Sequence, residues 1–172
     1  LGVAWDARRR GEGPSAWEYR WNAPAVLAGA CGGLVLVGLL NLTAAVDQAL
    51  FGLSPQLPTP MRDALQRGGV WMAALLLLAN GVAAPVSEEL VWRGVIQTAL
   101  ARVWRPGVAL IVTAVVFALK HVIVDASAQR LTTLLVFGVV VGAVRARWGT
   151  ASSTITHVVA NLAATTIALA TV

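Results

Sequence analysis

Two adjacent carboxylates, Glu88 and Glu89, stand in a strongly apolar chain, and Arg93 follows the second by four residues. A carboxylate is costly in lipid, so its presence there points to use. Glu89 and Arg93 meet across one helical turn, which lets the arginine neutralise and orient that carboxylate. Glu88 has no such partner. It precedes Trp92 by four residues, and poorly hydrated aromatic surroundings suit a carboxylate acting as a general base. Ser87, Glu88 and Glu89 can also be read as an N-cap followed by acidic first-turn residues, although the apolar character of the following stretch weakens that reading. His121 lies one turn after Phe117 and beside Lys120 in another apolar run. His157 and Asn161 share one face of the last run, and Ser153 and Thr165 extend their stripe by a turn each way. Lipid cannot satisfy such a stripe, so it must face protein or a water-filled cavity. The simplest packing brings Glu88, His121, His157 and Asn161 together in one cavity.

The elements that must position them are membrane helices. Of 172 residues, 58% are hydrophobic and 12% charged, which leaves too little polar surface for a soluble domain. Four arginines (Arg8, Arg9, Arg10, Arg20) precede the first apolar run and carry much of the net charge of +5. They read as a cytoplasmic flank, with no nucleic-acid partner implied. Cys31 is the only cysteine, so neither an intramolecular disulfide nor a cysteine-based zinc site is expected. The chain starts at Leu1, and an initiator methionine is expected upstream.

Residues 1–22 read as a polar, basic arm on the membrane surface, and residues 23–172 as the membrane-embedded domain. Apolar runs cover Ala23 to Val46, Gly69 to Val86, Gly107 to Val124, Leu131 to Val144 and Thr150 to Val172, and a more polar helical stretch covers Glu88 to Val103. Each long run can span about 30 Å of hydrocarbon. Residues 47–67, with Pro55, Pro58 and Pro60, read as a loop that can end in a short interfacial helix. The expected fold is therefore all-α, a polytopic bundle of five to six transmembrane helices enclosing a polar cavity. Pro85 leaves two readings of residues 69–103, one long kinked helix or a spanning helix followed by a separate one. With the N-terminus inside, Arg93, Arg102, Arg105, Arg145 and Arg147 join the cytoplasmic side, and only Arg62, Arg67 and Arg130 fall outside. Trp21, Trp71, Trp104 and Trp148 stand near the ends of apolar runs, where indoles prefer headgroup level. Gly29 with Gly33 and Gly138 with Gly142 have the spacing that allows close helix approach.

Three motifs carry a resemblance. Glu88-Glu89-Leu-Val-Trp-Arg93 resembles the EExxxR motif of the CAAX-protease and bacteriocin-processing (Abi) family of intramembrane endopeptidases, also called the type II CAAX prenyl endopeptidases. Phe117-Ala-Leu-Lys-His121 resembles its FxxxH motif, and His157-Val-Val-Ala-Asn161 its HxxxN motif. The resemblance covers roughly residues 69–165 and leaves out the first helix. It implies an all-helical membrane fold with a water-accessible catalytic cavity, in which Glu88 takes a proton from water, His121 holds that water, and His157 with Asn161 donates to the oxyanion. Glu89, Arg93 and Phe117 would support the site. The implied substrate is a membrane-associated peptide or protein, and the implied setting is the lipid bilayer, here that of a bacterial inner membrane.

Two other readings of the same residues stand beside this one. Glu88 and the histidines could be zinc ligands activating water. The HExxH pattern that places two histidines on one helical face is absent, so no metal cofactor is expected. The fold could also serve as a non-catalytic binding, immunity or scaffold protein, for which Glu88 and both histidines would have no use.

Overall fold

The computed structural model describes residues 19–52 and 59–170, apart from the side chains of 59–62. Most of the N-terminal arm and the 53–58 segment lie outside the described residues. Among the described residues, five helices are long and apolar enough to cross a membrane. The chain is an integral membrane protein, an all-α bundle.

Helix α1 runs Ala23–Phe51. Asn22 starts it by accepting from the Ala25 N–H at 2.9 Å, Pro24 fits the first turn, and Gly52 ends it in the left-handed conformation at φ 72°. The helix thus outruns Val46 and takes in Asp47, which the sequence reading assigned to a loop. Asp47 is buried. It accepts from Thr132 N at 2.7 Å, Thr133 N at 3.0 Å and Thr133 Oγ1 at 2.7 Å. Those N–H groups open helix α4 (Leu131–Trp148) and have no partner within it, so a carboxylate from another helix acts as their cap.

Helix α2 begins as Thr59–Leu78 and breaks at Gly69, whose φ of 52° and ψ of −137° leave the helical region. The break separates a polar turn bearing Asp63 and Arg67 from the apolar stretch, in keeping with a short interfacial helix. From there the chain runs on to Val103 as one helix, through a π-helical turn at Ala79–Ala83, an α-helical piece at Ala84–Glu89, a π-helical stretch at Leu90–Gln97 and a last α-helical piece at Thr98–Val103. Of the two readings of 69–103, the single helix is the observed one. Ser87 is therefore inside a helix and caps nothing; its hydroxyl donates to the Ala84 carbonyl at 2.9 Å. Pro85 is tolerated because wider turns flank it, re-routing the hydrogen bonds a proline would break.

Helix α3 is Pro106–Val124 and α5 is Thr150–Ala170. Only Gly149, at φ 90°, separates α4 from α5, a turn that a side chain would strain. Helix α1 packs on α4 and α5, and α3 packs on α4. Gly29 and Gly33 make the first contact possible, because added Cβ atoms would lie 2.6 Å from Ser152 O and 2.5 Å from Val159 Cβ. Gly138 and Gly142 do the same toward Ala114 and Leu110 of α3.

The α2–α4 contact is polar. Arg93 Nη2 donates to Gly138 O at 3.4 Å, Gln97 Nε2 to Gly142 O at 3.1 Å, and Arg145 Nη2 to Thr98 Oγ1 at 2.6 Å. Arg93 and Arg145 are buried within the bundle, so neither is an exposed flank charge. Trp21, Trp104 and Trp148 are exposed at or near helix ends, and Trp71 is exposed two residues after the Gly69 break.

Candidate active site

All five helices contribute to a cavity of about 240 Å³. Glu88 of α2, His121 of α3 and His157 with Asn161 of α5 line it. Helix α1, outside the motif block, supplies part of the wall through Leu36, Leu39, Leu40 and Thr43.

Glu89 and Arg93 lie beneath the cavity floor, fully buried, with Oε1 and Nη1 2.9 Å apart. The guanidinium stacks over Phe117, 4.7 Å from the ring centroid. Glu89 Oε1 also accepts from His157 Nδ1 at 2.9 Å. A carboxylate beside Arg93 accepts only, so the His157 proton toward it sits on Nδ1, and Nε2 turns to the cavity. Phe137 packs edge-on against the same imidazole at 4.5 Å and stacks on Phe117 at 5.7 Å.

His121 is fixed in a parallel way. Its Nδ1 lies 3.0 Å from the Phe117 carbonyl oxygen. A carbonyl cannot donate, so Nδ1 carries the hydrogen and Nε2 of the neutral ring is an acceptor. Glu88 stands between the two imidazoles, with Oε1 3.9 Å from His121 Nε2 and Oε2 3.9 Å from His157 Nε2. Those gaps exceed a direct hydrogen bond and admit a bridging water.

Glu88 is not unpartnered. Lys120 Nζ lies 2.7 Å from Glu88 Oε1 and 3.3 Å from His121 Nε2. The lysine that the sequence places beside His121 is thus the ion-pair partner of Glu88. Asn161 Nδ2 donates to the Asn80 carbonyl at 3.0 Å. Asn80 was not singled out from the sequence. The acceptor is its backbone carbonyl, which no side-chain type in the sequence marks. Among the described residues, no group of three or more His, Cys, Asp or Glu side chains is arranged to hold a metal ion.

The chain matches the family model described as type II CAAX prenyl endopeptidase Rce1-like over residues 70–163. No curated protein and no solved structure gives a match. The matched segment is more than half of the chain and includes Glu88, Glu89, Arg93, Phe117, His121, His157 and Asn161. With these seven residues gathered at one membrane-embedded cavity inside the matched segment, the chain belongs to the type II CAAX prenyl endopeptidase Rce1-like family, a family of proteases.

Proposed function

We propose that this protein is an intramembrane endopeptidase that hydrolyses a peptide bond of a membrane-associated protein or peptide, with Glu88 as general base. The observation that carries the reading is the carboxylate of Glu88 facing the Nε2 atoms of two oriented histidines, 3.9 Å from each, in one cavity. Once Lys120 Nζ, 3.3 Å from His121 Nε2, draws back from that nitrogen while keeping Glu88, a water between Glu88 and His121 can donate one hydrogen to the carboxylate and the other to Nε2. Its lone pair is then left for the scissile carbonyl carbon. As the C–O bond forms, Glu88 takes the water proton. Asn161 Nδ2–H donates to the oxyanion, joined by His157 Nε2–H when that ring has taken up a second proton from solvent before substrate binds. Glu89 holds the ring in place through Nδ1. The proton on Glu88 then passes to the leaving nitrogen as the C–N bond breaks.

The proposal needs no metal. The Lys120 ammonium already neutralises Glu88 and faces His121 Nε2, and a divalent ion at the same atoms would have to displace it. Arg102, Arg105 and Arg147, joined by the N-terminal arginines, support a cytoplasmic N-terminus even without the buried Arg93 and Arg145. A bacterial inner membrane is the setting proposed.

The test is cleavage of an internally quenched, farnesylated peptide ending in a CAAX sequence by purified protein in lipid vesicles. Cleavage that is lost in Glu88→Gln, with the helical fold retained, supports the reading. A Glu88→Gln protein that cleaves as well as the unmodified one overturns it in favour of a metal-bound water or another base, and an unmodified chain that binds the peptide without cutting it favours a scaffold.

A further inference from the structure

The contact that holds Asn161 originates in a proline on another helix. In an α-helix the Asn80 carbonyl would accept from the N–H of Ala84, four residues on. Here Ala84 N instead donates to Ala79 O, five residues back, which closes the π-helical turn Ala79–Ala83. In that wider register the donor for Asn80 O would be residue 85. Residue 85 is proline, which has no N–H. The observed register therefore leaves the Asn80 carbonyl without a backbone donor, open at the wall of the cavity that Asn80 and Asn161 both line. The side chain of Asn161 fills the vacancy, with Nδ2 3.0 Å from Asn80 O.

We infer that Pro85 is a positioning residue for Asn161: together with the π-helical turn it exposes the Asn80 carbonyl as a fixed acceptor that clamps one N–H of the Asn161 carboxamide and aims the other into the cavity. An asparagine side chain has two soft torsions, and without an anchor its second N–H would point toward the oxyanion only part of the time. Holding one N–H removes that freedom before substrate arrives, the preorganisation on which an oxyanion donor depends. The clamping carbonyl of Asn80 lies eight residues before Glu88 on the same helix, and Pro85 three, so base and oxyanion donor share one reference. This inference rests on the proposed role of Asn161 for its kinetic consequence, but not for its geometry.

The experiment restores the missing N–H. Pro85→Ala lets residue 85 donate to Asn80 O in the π register, or lets Ala84 do so if the turn relaxes to α, and either releases Asn161. Alanine is the better helix former, and Pro85→Ser, which also carries an N–H, serves as a second variant. In protein labelled with ¹⁵N-asparagine, the side-chain amide protons of Asn161, assigned by their absence in Asn161→Ala, are expected to exchange with solvent faster in both variants. With the quenched farnesylated peptide, kcat is expected to fall about tenfold with KM within about twofold, part of the ~10²-fold that outright loss of an oxyanion donor costs. On an Asn161→Ala background, Pro85→Ala should change kcat no further. Unchanged amide exchange in both variants overturns the inference, as does a loss in kcat that multiplies through the Asn161→Ala background, the mark of a merely structural proline. If the unmodified protein fails to cut the peptide, the proposed activity falls, and the amide-exchange measurement still decides the clamp.

Discussion

Removing Arg93 should unfold the protein far more readily than neutralising Glu88, although the two residues belong to one motif. Glu89 and Arg93 have no solvent exposure. Glu89 Oε1 accepts two bonds of 2.9 Å, from Arg93 Nη1 and His157 Nδ1, and the guanidinium also covers Phe117 and reaches Gly138 O. Breaking a buried ion pair by deleting one partner costs about 3–5 kcal/mol, and a desolvated cation–π contact adds ~1 kcal/mol. Arg93→Met is therefore expected to cost about 4–6 kcal/mol, a factor of roughly 10³–10⁴ in the unfolding equilibrium. Glu88 and Lys120 keep 24% and 33% of their side-chain exposure, and glutamine can still accept from the lysine, so Glu88→Gln should stay within about 1 kcal/mol of the unmodified protein. The double change Glu89→Gln with Arg93→Met removes both charges and should recover more than half of the Arg93→Met loss. Unfolding followed by helical circular dichroism during denaturant titration in detergent measures all three. Equal destabilisation by Glu88→Gln and Arg93→Met would refute the division of the two glutamates into a cavity group and a structural group.

Lys120→Met removes the charged donor at 2.7 Å from Glu88 and should lower kcat about tenfold or more, as befits one charge-assisted hydrogen bond, whereas Lys120→Arg should retain most activity; unchanged turnover in Lys120→Met would make the lysine a bystander. Exhaustive chelation should leave cleavage intact and metal analysis should find no stoichiometric zinc; one zinc per chain, with activity lost on its removal and restored on its return, would replace the glutamate mechanism. Asp47→Ala strips three hydrogen bonds from the start of α4 and should cost about 2 kcal/mol, the upper range for a helix cap; an unchanged melting curve would show that water replaces the carboxylate at no cost.

What the sequence disclosed followed from local spacing. Hydropathy marked the helices, since lipid allows few alternatives, and the i, i+4 geometry of Glu89 with Arg93 and of His157 with Asn161 is fixed by the helix itself. Partners on different helices were not legible. Lys120 meets Glu88 across 32 positions and Asp47 meets Thr133 across 86, distances over which only the packing decides. The alternative reading of Ser87 as a cap fails because a cap signature and a helix interior share the same residues when a π-helical turn lets the helix pass Pro85. The burial of Arg145 was hidden for a related reason: counting charges along a chain does not reveal which of them fold inward.

Helix α1 holds none of the motif residues and precedes the matched segment, yet Leu36, Leu39, Leu40 and Thr43 form one wall of the chamber. Gly29 and Gly33 set it hard against α5, and Asp47 ties its far end to α4. The groups proposed to react and part of the wall of the space they face are thus carried by separable stretches of chain. Inheritance can then act on them separately: a lineage could refit what enters the chamber by altering the leucines of α1 while every atom that makes or breaks a bond stays where it was.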